Sequence, residues 1–172
     1  MIILGLDPGL AALGYGFVRA DGSRLAVVAF GVLVTRRRAG LGVGCDLSAR
    51  IDELALGLRT LIDEHRPDHG AIEEFRFYGK AVTSSLQVAN VVGMLRETLR
   101  SRGIPVAEYS AREIKRAVVG CANATKAQVQ KMVAVHLGMR QPPHPEHAAD
   151  ALAAAICHAA RLPLLRAAGG SR

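Results

Sequence analysis

Apolar and polar positions in the first part of the chain predict three strands. Ile2–Leu6 is apolar on both faces and ends at Asp7-Pro8-Gly9, which predicts a buried central strand that runs into a tight turn. Two further strands are predicted at 14–19 and 25–34, and the Asp21-Gly22 pair between them is a hairpin signal. We therefore expect the chain to begin as an antiparallel meander.

After Ser48 the apolar residues recur with the period of a helix, and helices and strands then alternate. The first helix has Asp46 or Ser48 as its candidate N-cap and is ended by Pro67. The later predicted elements are a strand at 70–75, a helix at 85–102, a strand at 104–109, a helix that begins with the capping box of residues 125–128 and stops at Gly138, and a final helix from Pro145 to about Leu162. This order predicts one α/β domain over residues 1–162, followed by a flexible tail at 163–172.

The positive charge of the 172-residue chain lies in its second half. Residues 1–80 contain ten Lys and Arg and ten Asp and Glu, whereas residues 81–172 contain twelve and five, which accounts for the whole formal net charge of +7. Such an asymmetry is typical of proteins that bind a polyanion. A solvated, arginine-rich surface explains the charge alone equally well.

The cysteines and the N-terminus favour a cytoplasmic protein. Cys45, Cys121 and Cys157 are odd in number and widely spaced, which favours free thiols over a disulfide framework or a zinc site. The chain reaches Asp7 without a basic segment, unlike a signal peptide. Its longest uncharged run, residues 81–95, is too short to span a bilayer. We expect a soluble protein with no membrane partner.

Several acidic residues lie where apolar elements end. Asp7 ends the first strand, Glu73 and Glu74 end a later strand, and Asp150 lies in an alanine-rich helix. Taken singly, Asp7 is explained as a turn former, Glu73 and Glu74 as a solvated pair, and Asp150 as a capping or salt-bridged residue. A carboxylate beside a core is costly unless it is paired or bound to a cation, and pairs of Mg²⁺ ions held by carboxylates cleave phosphodiesters. Together, the acids favour a metal site.

Five stretches of sequence identify a family. They are ILGLDPG at 3–9 with Gly14-Tyr15-Gly16, AIEE at 71–74, EYSAREIKRAVVG at 108–120, TKAQVQKMV at 125–133 and HAADALAAAI at 147–156. In this order and at these spacings they resemble the RuvC family of Holliday-junction resolvases. The resemblance covers nearly the whole chain to about residue 162.

The resemblance implies an α/β protein with an RNase H-like fold, in which helices flank a mixed five-stranded sheet of three antiparallel and then parallel strands. It implies a homodimeric, Mg²⁺-dependent endonuclease that makes paired nicks across four-way DNA junctions in recombination and repair. Two Mg²⁺ ions are expected in each active site, with Mn²⁺ as a substitute, and a RuvA/RuvB-type branch-migration complex is the implied partner. The catalytic and metal-binding acids of the family fall on Asp7, Glu73 and Asp150.

His147 departs from the family motif, which has D-A-A-D where this chain has H-A-A-D. Residues 147 and 150 share a helix face, so we expect His147 in the active site as a metal ligand, a general base or a neighbour. Imidazole suits Mn²⁺ better than Mg²⁺. Glu146 is a second candidate for the missing carboxylate. It ranks below His147 because the motif aligns without a gap, and because the helix dipole already explains an acid at a helix start.

Five residues are expected to bind DNA. Lys115, Arg116 and Lys126 lie within the matched motifs, and Lys126 lies in a first helical turn, where the dipole disfavours a cation unless a phosphate binds there. The family has a base-stacking aromatic in the loop after Glu73. In this chain Arg76 aligns with that position and Phe77 follows it, and either side chain can stack on an unpaired base.

The helix at 85–99 contains more apolar residues than one buried face requires, which favours a two-fold dimer interface. Two other functions were considered. An actin-like sugar or acetate kinase also begins with a strand followed by Asp-x-Gly, but it needs two such domains, and no second copy is present in this sequence. A junction-binding protein without nuclease activity would follow if His147 disabled the site.

Overall fold

Five strands form one mixed sheet. The computed structural model describes residues 1–75 and 82–169, with side chains of the last helix described to residue 162. The strands are β1 (Ile2–Asp7), β2 (Ala12–Asp21), β3 (Arg24–Val34), β4 (His69–Glu73) and β5 (Val106–Tyr109), in the order β3-β2-β1-β4-β5. The first three strands pair antiparallel, and β4 and β5 continue the sheet in parallel with β1. The α/β class and the predicted strand arrangement are therefore confirmed.

Helices cover both faces of this sheet. Helices α1 (Val43–His65) and α2 (Val82–Arg100) pack on one face, around a core that includes Leu4, Leu54 and Leu95. Helices α3 (Ala111–Val119), α4 (Lys126–His136) and α5 (Glu146–Gly169) pack on the other face. Because apolar side chains of β1 alternate between these two cores, β1 is buried on both faces, as its unbroken apolar run predicts.

Helix α5 lies unusually close to the sheet. Its residues from Ala151 to Ala155 are fully buried. A Cβ atom at Gly5 of β1 would lie 1.9 Å from the carbonyl oxygen of Ala151. Glycine on the strand and alanine on the helix thus allow the two backbones to approach, and this contact fixes where the first turns of α5 lie.

The ends of two helices differ from the sequence prediction. Helix α1 begins at Val43, and its N-cap is Gly42 rather than Asp46 or Ser48. Asp46 lies inside the first turn because its carboxylate accepts a hydrogen bond from the backbone N–H of Arg38. Helix α5 continues to Gly169, beyond its predicted end near Leu162. The alanines at 167 and 168 favour helix, which the prediction underweighted.

A short helix was also missed. The sequence prediction left residues 111–119 without secondary structure, and these residues form α3. Ser110 and Glu113 form a reciprocal capping box at its start, which is a recognisable sequence signal. Over the described parts of the chain, no helix is both long enough and apolar enough to cross a membrane.

Candidate active site

Two carboxylates meet at one edge of the sheet because β1 and β4 are parallel neighbours. Asp7 is the last residue of β1 and Glu73 is the last residue of β4. The register pairs Leu6 with Ile72, so the two acids lie side by side at the strand ends. This is the carboxyl edge of a parallel pair, where α/β proteins commonly place ligand sites.

Helix α5 brings a third carboxylate and an imidazole to the same edge. A Cβ atom at Gly14, the β2 residue paired with Asp7, would lie 2.0 Å from the carbonyl oxygen of His147. The first turn of α5 therefore rests directly on β2 beside Asp7. Asp150 follows one turn later on the same helix face.

His147 is hydrogen-bonded to Asp7. The distance between His147 Nδ1 and Asp7 Oδ2 is 2.7 Å. The Asp7 side chain is 16% exposed and that of His147 is 52% exposed, so the imidazole closes the solvent side of the carboxylate. The structure thus brings His147 into contact with Asp7, one of the three acids expected in the site.

Burial destabilises the charged forms of all three carboxylates, and neighbouring acids add to this at Glu73 and Asp150. Burial, followed by the charges of Asp7 and Asp150, raises the pKa of Glu73 to about 7. Burial also raises the pKa values of Asp7 and Asp150, although His147 and Lys126 partly oppose this. A cluster of acids with raised pKa values gains free energy when a cation binds among them.

Lys126 brings a positive charge close to this cluster. Its helix, α4, begins with the predicted capping box between Thr125 and Gln128. Lys126 Nζ lies 3.2 Å from Glu146 Oε2 and 3.9 Å from Asp150 Oδ2. The Glu146 side chain is 62% exposed and faces Lys126. This contact gives Glu146 a role as the partner of the lysine, a pairing that was not foreseen from the sequence.

A cavity opens beside the acids on the α3 and α4 side. It has a volume of about 190 Å³, and its charged lining residues are Glu73, Lys115, Lys126 and Asp150. A second hollow of about 150 Å³ is lined by Asp7, Glu73 and their neighbours. Glu73 lines both hollows, so acidic and basic groups line two neighbouring hollows at this sheet edge, which are together called the recess.

Arg116, a further predicted DNA-binding residue, is not brought into this recess. Arg116 is exposed on α3 and is absent from the described lining of both hollows. Arg76 and Phe77 lie outside the described residues. Phe75, which immediately precedes them, lines the hollow at Asp7.

The donor set of the recess fits a hard divalent cation. Carboxylate oxygens are the ligands that Mg²⁺ prefers, and one imidazole nitrogen is compatible with Mn²⁺. Among the described residues, no three His, Cys, Asp or Glu side chains are already close enough together to enclose an ion. Burial is the largest cause of the raised pKa values of Asp7, Glu73 and Asp150, and a bound cation would offset the cost of charging these buried carboxylates.

Comparisons with known proteins point to one family. A family model described as crossover junction endodeoxyribonuclease RuvC matches residues 3–158. The RuvC protein of Chloroflexus aggregans is 42% identical over 171 residues, which cover 99% of this chain and 100% of that protein. The RuvC protein of Syntrophomonas wolfei is 40% identical over 158 residues, covering 92% and 88% respectively.

A solved structure agrees with these sequence relatives. Thermus thermophilus RuvC, in complex with a Holliday junction substrate, superposes with a TM-score of 0.84 at 28% identity. The match covers 95% of this chain and 96% of that one. This chain and the Thermus thermophilus protein thus share one fold over nearly their whole lengths.

Proposed function

Because the chain belongs to the RuvC family of crossover junction endodeoxyribonucleases, it is a metal-dependent nuclease that resolves Holliday junctions, and we propose that Asp7, Glu73, His147 and Asp150 form its active site. The observation that supports this assignment is the meeting of three carboxylates from β1, β4 and α5 at one sheet edge, with His147 bonded to Asp7. Membership of the family decides against an actin-like kinase and against a junction-binding protein without nuclease activity.

The four side chains are suited to hold two Mg²⁺ ions, with Mn²⁺ as a substitute. The chemistry that such ions supply is a lowered pKa for the attacking water and charge stabilisation at the attacking and leaving oxygens. Asp7 would be the central ligand of this set, because it ends the central strand β1 and lies beside both Glu73 and His147.

The bond between His147 and Asp7 determines which imidazole nitrogen is available for chemistry. An ionised carboxylate only accepts hydrogen bonds, so Nδ1 of His147 carries the proton that is donated to Asp7. In this tautomer Nε2 keeps its lone pair. Nε2 is therefore the atom that binds a cation or accepts a proton from the attacking water, and Asp7 fixes the orientation of the ring.

The lysines of the recess are suited to bind the phosphates beside the cut. Lys115 and Lys126 line the same cavity as Glu73 and Asp150. The contact between Lys126 and Glu146 is exposed on both sides, and exposed ion pairs contribute little stability. The ammonium can thus exchange Glu146 for a phosphate at small cost. Arg116 is proposed as an outer phosphate contact, and either Arg76 or Phe77 as the residue that stacks on a base.

An exposed apolar stripe along α2 supports a homodimer. Val82 and Leu86 are 54% and 58% exposed, and Ala89 and Gly93 continue the stripe at helical spacing. An isologous contact through this face would present two active sites to a two-fold DNA junction. A RuvA/RuvB-type complex as partner and the cytoplasm as location are further parts of the proposal.

The function is tested on a synthetic four-way junction with each strand labelled in turn. In Mg²⁺ or Mn²⁺ we expect paired nicks in two strands of like polarity, at symmetric positions, with ends that a ligase can reseal. A linear duplex with the sequence of one arm pair is the matched control and should remain uncut. Absence of nicks in both metals, or ends that cannot be resealed, would contradict the proposed function.

A further inference from the structure

A run of three arginines leaves the sheet at the same edge as Asp7. Val32 of β3 pairs with Gly14 of β2, which in turn pairs with Asp7, so Val32 and Asp7 are level across three strands. The chain then extends beyond this level to the end of β3 at Val34. The segment Arg36-Arg37-Arg38 (the arginine segment) follows directly and is exposed.

The start of the arginine segment is fixed to the turn that follows Asp7. Thr35 is 4% exposed, and its hydroxyl donates to the carbonyl oxygen of Leu10 at 2.5 Å. The backbone N–H of Thr35 donates to the carbonyl oxygen of Ala11 at 3.1 Å. These contacts join the arginine segment to the loop that carries the chain from Asp7 into β2.

A largely buried ion pair holds both ends of the segment. Asp46 and Arg50 of α1 lie 3.5 Å apart, with side chains only 9% and 11% exposed. Asp46 accepts from the backbone N–H of Arg38 at 2.7 Å, and Arg50 Nε donates to the hydroxyl of Thr35 at 2.9 Å. Buried ion pairs add little net stability but fix geometry. This pair therefore orders an arginine-rich segment that would otherwise be a loose loop.

Two of the three guanidinium groups have no charged partner among the described residues. Arg38 lies 3.4 Å from Glu53, whereas Arg36 and Arg37 form no ion pair within residues 1–75 and 82–162. Guanidinium groups bind phosphates through two parallel hydrogen bonds. Arg36 and Arg37 are consecutive and exposed on a backbone that is anchored at Thr35 and Arg38, so both guanidinium groups are available to phosphates.

We propose that Arg36 and Arg37 bind DNA phosphates on the β3 side of Asp7, away from Lys126, and that Thr35, Asp46 and Arg50 position them. This inference rests on the proposed function of the Asp7 site. Strands β3 and β1 are two steps apart in the sheet, or about 10 Å. Because each DNA strand carries a phosphate for about every 3.4 Å of helix axis, a DNA backbone that crosses Asp7 has further phosphates within reach of the arginine segment.

The test compares two double variants that remove the same charge. Arg36→Gln/Arg37→Gln removes the proposed contacts. Arg19→Gln/Arg24→Gln is the matched control, because both of its arginines are exposed near the Asp21-Gly22 turn, at the opposite end of the β2–β3 hairpin. Binding of a fluorescent four-way junction is measured by anisotropy without divalent metal, from about 50 to 200 mM salt.

We expect the Arg36/Arg37 variant to bind more weakly and to lower the slope of log K against log salt by about two units, since each lost phosphate contact removes about one. The control should keep the wild-type slope. Equal slopes for the two variants would overturn the proposal. Wild-type binding by the Arg36/Arg37 variant would also overturn it and would leave the segment free for an acidic protein partner.

A third variant tests the anchor without changing charge. Thr35→Val removes the hydroxyl that joins Leu10 and Arg50, and it should weaken junction binding several-fold while a thermal melt shows a folded protein. Wild-type affinity in this variant would contradict the positioning role. Cleavage by the wild type separates the two levels of the argument. If the wild type cuts junctions but the Arg36/Arg37 variant and its control have equal salt slopes, only this inference is overturned. If the wild type does not cut junctions, the proposed function is overturned.

Discussion

The hydrogen bond between His147 and Asp7 is the most informative contact of the site at the scale of single residues. It joins two side chains separated by 140 positions in the chain, at 2.7 Å. If the contact serves only to orient the two side chains, cleavage depends mainly on the hydrogen bond at Nδ1. If the imidazole binds a metal ion or takes a proton from water, cleavage depends mainly on Nε2.

Two substitutions of His147 separate these roles. The amide nitrogen of Asn can take the position of Nδ1, and the amide of Gln can reach the position of Nε2. We expect His147→Asn to lose at least about 10²-fold in cleavage rate with unchanged junction affinity, because it lacks the outer nitrogen. Single-turnover cleavage and anisotropy measure the two effects.

The outcome for His147→Gln then distinguishes a ligand from a base. An amide oxygen can bind a cation but cannot take a proton at neutral pH. Partial activity of His147→Gln in Mn²⁺ indicates a ligand, and so does activity of His147→Asp in Mg²⁺. If His147→Gln, His147→Asp and His147→Asn are all inactive, His147 acts as a general base. Full activity of the Asn variant would contradict any chemical role for Nε2.

Glu73 carries the largest electrostatic cost of the site. Its pKa is raised to about 7, chiefly by burial and then by Asp7 and Asp150, so at pH 8 the folded chain holds a carboxylate that would ionise more easily when unfolded. We expect Glu73→Gln to abolish cleavage and to stabilise the metal-free protein at pH 8 by roughly 1–3 kcal/mol.

The same shift gives a pH dependence with a defined sign. Because the folded pKa of Glu73 is above the unfolded value, the folded state takes up a proton as the pH falls through about 7, and the stability of the metal-free wild type should rise from pH 8 to pH 6. Urea unfolding at both pH values measures this, with Asp52→Asn on the exposed side of α1 as control. An equal pH dependence in Glu73→Gln would contradict the account.

The sequence predicted the acids of the site better than their partners. Asp7, Glu73 and Asp150 were predictable because a charge at the end of an apolar element needs an explanation. The contact between Lys126 and Glu146 was not predictable, because it depends on how α4 and α5 pack. Sequence periodicity describes the faces of each helix but not the distance between two helices.

The close contact between α5 and the strands places the site at the scale of elements. Gly14 provides the tightest constraint near the chemistry, since a Cβ atom there would lie 2.0 Å from the carbonyl oxygen of His147. Any side chain at residue 14 must push the first turn of α5 away from β2. The imidazole would then move away from Asp7.

Gly14→Ala should therefore damage the site more than the fold. We expect a loss of stability of about 1–3 kcal/mol from overpacking, and a fall in cleavage rate of at least about 10²-fold in the protein that remains folded. Thermal melts and single-turnover cleavage measure these effects. Gly44→Ala in α1 is the matched control, because its Cβ would meet nothing within 4 Å. Normal cleavage by folded Gly14→Ala would show that this contact does not position His147.

Element boundaries show where sequence patterns stop being informative. The central strands and the start of α4 were predicted well because an unbroken apolar run and a capping box are local signals. The start of α1 was not, because Gly42 caps it without a side chain and Asp46 is used instead to hold Arg38. A residue recruited by a distant backbone group gives a misleading local signal.

At the scale of the whole molecule, α2 carries the apolar surface that single-domain packing leaves exposed. Val91, Val92, Leu95 and Leu99 are buried in the core, whereas Leu86 is 58% exposed. The sequence indicated an excess of apolar residues on this helix but not which of them would face outward. The structure assigns that excess to the stripe that begins at Val82.

Leu86→Glu should separate the subunits of the proposed dimer. An isologous contact contains the substituted residue of both subunits. The two buried carboxylates therefore each lose hydration and also repel one another, which destabilises the dimer. We expect sedimentation equilibrium to show monomers for Leu86→Glu and dimers for Val135→Glu, a control on α4 whose valine is 69% exposed. Junction cleavage by the monomer should lose its pairing of nicks. A dimer of Leu86→Glu would contradict an interface through this stripe.

The charge asymmetry of the chain also belongs to this scale. Most of the proposed metal-binding acids come from the neutral first half, and Lys115, Arg116 and Lys126 come from the basic second half. Arg36 and Arg37 add a basic group within the neutral half, which a count over 80 residues hides. The distribution of charge around the recess, rather than its sum, determines where DNA can lie.

The central claim is that Asp7, Glu73, His147 and Asp150 act together as one metal-dependent site, and Asp7→Asn tests it most directly. Cleavage of a four-way junction by wild type and Asp7→Asn is compared in Mg²⁺ and in Mn²⁺, at protein concentrations that give equal fractions of bound junction. The account predicts wild-type junction affinity and loss of both nicks in the variant. Paired nicking by Asp7→Asn in Mg²⁺ at a rate near that of the wild type would contradict it.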